Sequence, residues 1–426
     1  MVTRPESAPE ALRASPPGGR HQQRGPSGSA AALALLRPAP AMPQGHRRHA
    51  LLALAGLGAW ALSPRTAWAH NPSGTLQLAA AWERQGSFHV GLLSTDEGAG
   101  QALQIHAALE VPTRPHGLCV LPDGSVVATA RRPGDWLVRW HPGKTADPQW
   151  LWQDGERSFN GHVLASADGR QLYTTETAAE TGASCIVVRD ACTLAKTAEW
   201  PTHGIDAHEL VWDTQGGSVP TLIVANGGVP TAPETGRVKR NLNTMDSSLV
   251  RLHARTGRLL GQWRLQDKRL SLRHLAWSPD KTTLGIALQA EHDDAAAKDA
   301  APVLALFDGT VLRAIPSPQG IAQSIHGYGG SMAATPQGWA VSCPRANGVA
   351  IFSLQGAWQG LVPLPEVCAL AVHGGALWAG GVGASLQNAQ ASVPVSHPHG
   401  PNLQGVRLDN HWVLAQSIEA KSASGA

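Results

Sequence analysis

Four histidines each open a short apolar run that ends in a tight turn, and this recurrence is the strongest constraint on the fold. The runs begin at Pro115-His116-Gly117-Leu118, Gly161-His162-Val163-Leu164, Ala207-His208-Glu209-Leu210 and Arg273-His274-Leu275-Ala276. The first three histidines lie 46 residues apart, and the fourth follows after 66. The closing turns are Pro122-Asp123-Gly124, Ala167-Asp168-Gly169, Asp213-Thr214-Gln215-Gly216 and Ser278-Pro279-Asp280. A period of this length marks a repeat architecture in which each unit buries its apolar face against the next.

Within each unit a first strand leads through the turn to a second and then a third. The second segment shows the plan best: Val163-Leu164-Ala165-Ser166, the Asp168-Gly169 turn, Gln171–Thr175, then Cys185–Arg189. Other units run Leu118–Leu121, Ser125–Ala130 and Trp136–Trp140, or Glu209–Trp212, Thr221–Ala225 and Ser248–His253. Short runs bounded by Gly, Asp, Asn and Pro read as antiparallel strands. No long amphipathic helix is evident. Repeats of this size with four strands each predict a β-propeller. Six units are clear, and residues 76–110 with 403–415 supply a seventh that closes the ring and removes an open edge. The expected fold is all-β: a single-domain, seven-bladed β-propeller spanning residues 70–426, after a cleaved export leader.

That leader is read from residues 1–69. Arg47-Arg48 precede an apolar stretch from Ala50 to Leu62, followed by Ala67-Trp68-Ala69. A basic segment, a short apolar segment and an A-x-A signal predict export with cleavage after Ala69. The stretch is too short to span a bilayer, and the paired arginines suggest the twin-arginine route. Residues 1–41, rich in Pro, Ala, Arg and Ser, are expected to be disordered, and Met42 is an alternative start to Met1. The chain carries 34 Lys+Arg and 31 Asp+Glu. Eight and two of these lie in residues 1–69, so the remainder has 26 basic and 29 acidic residues, a formal charge of −3. The basic character belongs to the leader and gives no argument for nucleic acid. The five cysteines include no C-x-x-C, so zinc-knuckle and c-type haem signatures are absent. Cys119, Cys343 and Cys368 are expected as buried small hydrophobes, and a Cys185–Cys192 bridge is left open.

Propeller geometry turns sequence into position. First strands lie innermost, so the four histidines share one rim of the central channel. The ends of second strands return to that rim and bring Arg131-Arg132, Glu176, Asn226, Gln289 and Arg345 there. The loop from Gly227 to Asp246 is long enough to cover the channel mouth.

Several blocks resemble the exported bacterial proteins of the domain of unknown function 1513 family. They include Tyr173-Thr174-Thr175-Glu176, His203-Gly204-Ile205, His208-Glu209-Leu210, Asn226-Gly227-Gly228, Asn241-Leu242-Asn243-Thr244-Met245 and Cys343-Pro344-Arg345. The resemblance covers nearly all of residues 70–426. It implies a periplasmic seven-bladed propeller of unestablished activity, whose members accompany imelysin-like and di-haem peroxidase-like proteins in iron-acquisition settings. Two positions depart from the family pattern. Thr231-Ala232-Pro233 stands where Thr-His-Pro is usual, and Asp206-Ala207 where Gly-Pro precedes His-Glu-Leu.

Two roles remain open for the histidines. His116, His162, His208 and His274 can together bind a transition metal, because neutral imidazole suits copper, zinc and iron. Asp206, Glu176 or Glu209 would add oxygen donors and Met245 a soft one. Alternatively each imidazole hydrogen-bonds a neighbouring blade. Arg237, Lys239, Arg240, Arg273 and Arg345 offer bidentate contacts to an anionic ligand such as a carboxylate-type metal chelate. Glu176, Glu209, Asn226, Arg237, Arg273 and Arg345 are the ligand-binding candidates. The segment Ser396-His397-Pro398-His399-Gly400 reads as an exposed loop.

Catalytic signatures such as G-x-S-x-G or H-E-x-x-H are missing. The expected function is therefore a periplasmic ligand-binding propeller, an accessory in iron or copper acquisition, with the imelysin-like or di-haem peroxidase-like proteins as partners. A hydrolase or lactonase is the alternative, with Asp206, His208, Glu209 and Glu176 as an acid–base group or with calcium held by carboxylates and Asn226. A protein-interaction scaffold is the third.

Overall fold

The computed structural model describes residues 76–95, 102–229, 242–318, 325–391 and 394–415. The leader, Arg237 and most of the Gly227–Asp246 loop, including Lys239 and Arg240, lie outside these residues.

Twenty-eight strands make seven four-stranded antiparallel sheets. The chain enters with β1 (Gln77–Arg84), β2 (Ser87–Thr95) and β3 (Leu103–Val111). Blade 2 is β4 (Pro115–Val120), β5 (Val126–Ala130), β6 (Trp136–Trp140) and β7 (Gln149–Trp152). Blade 3 is β8 (Arg157–Ala165), β9 (Gln171–Ala178), β10 (Ser184–Asp190) and β11 (Lys196–Pro201). Blade 4 is β12 (Ala207–Trp212), β13 (Thr221–Asn226), β14 (Ser248–His253) and β15 (Leu259–Trp263). Blade 5 is β16 (Leu270–Trp277), β17 (Leu284–Ala290), β18 (Leu304–Phe307) and β19 (Leu312–Ile315). Blade 6 is β20 (Met332–Thr335), β21 (Gly338–Cys343), β22 (Gly348–Phe352) and β23 (Trp358–Pro363). Blade 7 is β24 (Leu370–His373), β25 (Ala376–Gly380), β26 (Ala384–Gln387) and β27 (Val395–Pro398). The last strand, β28 (Arg407–Leu414), pairs with β1 and becomes the innermost strand of blade 1. Blade 1 is thus built from both ends of the propeller, as the sequence predicts for residues 76–110 with 403–415. Each innermost strand touches the next, and β28 returns to β4, so the ring is closed.

The core lies between neighbouring sheets. Ile223 and Leu249 of blade 4 pack against Ile286 and Leu288 of blade 5. At the closure, Leu78, Trp82 and Trp412 meet Ala371 and Trp378 of blade 7. A fully buried Leu or Ile contributes roughly 1.5–3 kcal/mol, and such residues recur at every blade interface. Tryptophans also tie adjacent inner strands: Trp212 Nε1 donates to Ala165 O at 2.8 Å and Trp277 Nε1 to Trp212 O at 2.8 Å.

Helix among the described residues amounts to one short segment, α1 (Ala295–Ala300), capped by Asp294, and a few 3₁₀ turns. No helix among them is long and apolar enough to cross a membrane. All five cysteines are free, with Cys185 buried and Cys192 exposed, so the bridge left open by the sequence does not form. Two expectations need correction. The Ser396–Gly400 segment is not an exposed loop. His397 and His399 are 3% and 5% exposed in or beside β27, where they meet Gln387 and Ser385. Two of the histidines also do not open their strands: β4 and β12 begin at Pro115 and Ala207 as expected, but β8 begins at Arg157 and β16 at Leu270, ahead of His162 and His274.

Candidate metal centre in the propeller channel

Five inner strands have a bulge at a histidine. In β4, His116 and Gly117 fall between Leu118, paired with Ala128, and Pro115, paired with Ala130. His208 and Glu209 occupy the same break in β12, and Arg273 and His274 in β16. In β8 the break holds Asn160, Gly161 and His162, and in β28 it holds Asp409, Asn410 and His411. A bulge leaves its extra residues unpaired and re-aims their side chains. Here it directs five imidazoles inward. β20 and β24 pair with their neighbours in unbroken register, and neither places a histidine in the cluster; His373 ends β24, opposite Ala376.

His411 is the ligand candidate that sequence reasoning missed. It follows two blades that place no histidine in the channel, so no period points to it. The signal available was Asn410-His411-Trp412-Val413, a histidine ahead of an apolar run within the segment already assigned to the closing blade. Around the ring, ring-centre separations are 4.7 Å for His411–His116, 4.9 Å for His116–His162 and 4.5 Å for His162–His208. They are 4.9 Å for His208–His274 and 4.7 Å for His274–His411. One ring nitrogen from each of His116, His162, His208 and His274 can be chosen so that all four lie within 4.8 Å of one another. Zinc-like ions bond imidazole nitrogen at about 2.0–2.1 Å, which puts tetrahedral donors about 3.4 Å apart and opposed donors about 4.2 Å apart. Small side-chain rotations bridge the difference.

Two glycines permit this approach. Gly161 has φ +96°, and a Cβ there would lie 2.9 Å from His116 Cδ2. A Cβ on Gly117 would lie 2.3 Å from Gly161 O. The bulges of blades 2 and 3 therefore touch backbone to backbone, which brings their histidines side by side.

The imidazoles are held neutral. Burial pushes His116, His162 and His208 well below the usual histidine value, with further lowering from neighbouring histidines and arginines. His274 is lowered to about 3 and His411 to about 4, again chiefly by burial. His162 Nε2, His208 Nδ1 and His411 Nε2 are buried and have no hydrogen-bond partner. A buried polar atom left unpaired costs roughly 1–3 kcal/mol, so three such atoms in one cluster need an explanation. They also argue against the alternative in which each histidine hydrogen-bonds a neighbouring blade. His116 Nδ1 and His274 Nδ1 likewise have no hydrogen-bond partner. Glu209 Oε2 lies 3.4 Å from His274 Nδ1, and Asp409, which pairs with Arg114, lies 3.9 Å from His116 Nδ1.

Glu209 lies at the cluster and accepts a hydrogen bond from Leu275 N at 2.6 Å. Its remaining 22% exposure faces the channel, and burial raises its carboxyl to about 7. Arg273, 1% exposed, pairs with Asp206 at 2.9 Å, and Asp206 also pairs with Arg132. Asp206 sits at φ +56°, in the left-handed region that glycine takes freely and aspartate tolerates. The carboxylate that replaces the family's usual glycine is thus locked between two arginines.

Other predicted site residues separate from the cluster. Glu176 is buried against Arg189 at 2.7 Å and accepts from Thr174 and Gln153. Asn226 is buried and donates to Thr202 O and Ser248 Oγ. Both second strands do end on the histidine side, but these side chains turn into blade contacts. With Asp206 also paired, the acid–base group and the calcium set do not assemble. Met245 is buried near Leu242 and lines neither channel cavity. Arg345 is exposed and stacks over Tyr328 at 4.3 Å, at the channel mouth. Arg131, Arg132, Gln289, Tyr328 and Asn410 face His116, His208 and His274 across a cavity of only about 20 Å³. Among the described residues that side holds about one water and has no room for a chelate.

A family model described as "Protein of unknown function (DUF1513)" matches residues 109–415. The chain belongs to this family. No curated protein sequence matches it. Among solved structures, a chain of "Kuenenia stuttgartiensis Hydrazine Synthase" is similar at TM-score 0.51 and 13% identity, over 74% of this chain and 92% of that one. "Structure of Dos1 propeller" follows at TM-score 0.47 and 11% identity, over 74% and 81%. "Crystal structure of Nidogen/Laminin Complex" stands at 0.42 and 13%, over 69% and 94%. At these identities the first is a likeness of fold alone, and the other two carry no argument. The match to the DUF1513 model takes in all five channel histidines.

Proposed function

We propose that this DUF1513 propeller binds a transition-metal ion at the channel histidines. The observation that carries the reading is the convergence of four buried imidazole nitrogens within 4.8 Å, held neutral by burial. Neutral imidazole is the ligand form, and copper, zinc and iron are the ions it suits. Glu209 lies beside the set, 3.4 Å from His274 Nδ1. An anionic chelate is not favoured, given the 20 Å³ available beside the arginines.

The cellular part of the reading is an accessory role in periplasmic iron or copper handling. It rests on the Arg47-Arg48 leader pattern and on the company the family keeps. N-terminal sequencing of the exported protein tests the location; an intact leader in a cytoplasmic product overturns it. Metal analysis of protein purified from the periplasm tests the site. About one equivalent of metal is expected, and its loss in the His162→Ala, His208→Ala double variant with a cooperative thermal transition retained. Absence of metal from wild type after titration with copper, zinc and iron salts, or full retention in the double variant, overturns the reading.

A further inference from the structure

The histidine cluster divides the central channel unequally. The arginine side has about 20 Å³. The other side, toward the Asp-Gly turns, opens into a cavity of about 250 Å³. His162, His274, His411 and Glu209 line it, and the rest of its wall is mainly apolar, including Leu118, Leu210, Met332, Leu370, Trp412 and Val413. Much of this wall comes from the inner-strand residues that follow each histidine.

The ring of bulges is also incomplete. Blades 6 and 7 contribute Met332 and Leu370 from strands in unbroken register. The cluster therefore has no imidazole on that side, where the cavity reaches it. We infer that a metal held by the cluster keeps one coordination position open toward this cavity, and that the position takes a small neutral ligand with one donor atom and an apolar body. The inference rests on the metal-binding reading and adds a ligand class to it.

Size and polarity select that class. The cavity falls below the roughly 300–1,000 Å³ of pockets for drug-sized molecules, so the ligand has only a few heavy atoms. Away from the histidines, Glu209 and Ser331 the side chains of the wall are apolar, so an anion would give up much of its hydration there for few hydrogen bonds, with the Glu209 carboxyl beside it. A neutral ligand loses little on entry, places its donor atom at the metal and packs its body against Met332 and Leu370. The functional face of the propeller is then the Asp-Gly side of the cluster and not the arginine rim.

Cobalt(II)-loaded protein gives a direct test, because its visible bands report coordination number. Pyridine serves as the neutral probe and azide as the anionic one. Pyridine should shift the bands saturably, and azide should need at least tenfold more for the same change. Leu370→Trp, which fills the cavity away from the histidines, should keep one equivalent of cobalt and lose the pyridine response. Met332→Phe makes the same test if the first variant fails to fold. Bands that do not respond to pyridine in a protein that does bind cobalt overturn this inference and leave the metal reading standing. A failure to bind cobalt, copper or zinc at all overturns both. Azide binding as tight as pyridine, or an undiminished pyridine response in the folded plugged variants, also overturns the inference.

Discussion

Mild acid should strip this protein of most of its stability, and the size of the effect follows from the channel. Burial holds His274 at about 3, His411 at about 4, and His116, His162 and His208 well below the histidine norm. In the unfolded chain each takes up a proton near pH 6.5 or roughly so. Their contribution is complete above about pH 6.5 and is lost as the pH falls toward the folded values. Glu209 acts in the opposite sense. With its carboxyl raised to about 7, the folded protein holds a proton that the unfolded chain has released above about pH 4.5, so its contribution falls as pH rises through that interval. For the channel groups alone, five protons gained on unfolding against one lost leave about four, or roughly 5 kcal/mol per pH unit below about pH 6.5; buried His399, lowered to about 4, adds in the same sense. Down to about pH 5 the loss is roughly 7 kcal/mol, comparable to the whole stability of a typical domain at about 5–15 kcal/mol. Urea unfolding of metal-free protein, followed by tryptophan fluorescence from about pH 7 to about pH 5, measures it. Replacing His162 and His411 with glutamine lowers the net uptake to about two protons and should halve the slope. A stability that stays flat across this range, or a slope unchanged in the double variant, would refute the reasoning.

Three further outcomes follow. Gly161→Ala forces a side chain onto φ +96° and into contact with His116; it should cost roughly 1–3 kcal/mol and weaken metal binding, as read by urea unfolding and isothermal titration. Asp206→Asn removes the carboxylate between Arg132 and buried Arg273 and should destabilise by about 3–5 kcal/mol, whereas a change under about 1 kcal/mol by the same assay would contradict the pairing. In native protein a thiol reagent should label Cys192 alone, because the other four cysteines are buried or half-buried and burial raises their thiols to about 11 or 12; mass spectrometry of the labelled peptides decides.

The inner three strands of most blades were legible because their apolar runs and Asp-Gly turns recur. Trp136–Trp140 and Ser248–His253 fall where the sequence places them. The outermost strands, such as Lys196–Pro201 and Leu259–Trp263, were not legible. They lie on the blade rims, and their largely exposed residues show no burial pattern. The convergence of His116, His162, His208 and His274 was legible from their repeated position. The bulges that aim them were not, because an extra residue in a strand leaves no mark on hydrophobic periodicity. Glu176 and Asn226 were placed at the correct ends of their strands, but strand position does not reveal that Arg189 and Ser248 hold them.

The closing strand gives the site a place in time. His116, His162, His208 and His274 are all synthesised well before β28, yet the channel they face has no complete wall until β28 pairs with β1 and returns beside β4. A nascent chain can therefore gather four of the five imidazoles while its barrel is still open to water, and only the final strand brings His411 and seals the compartment. Ring closure and completion of the histidine set are one event. A chain clipped ahead of Arg407 would lose both together.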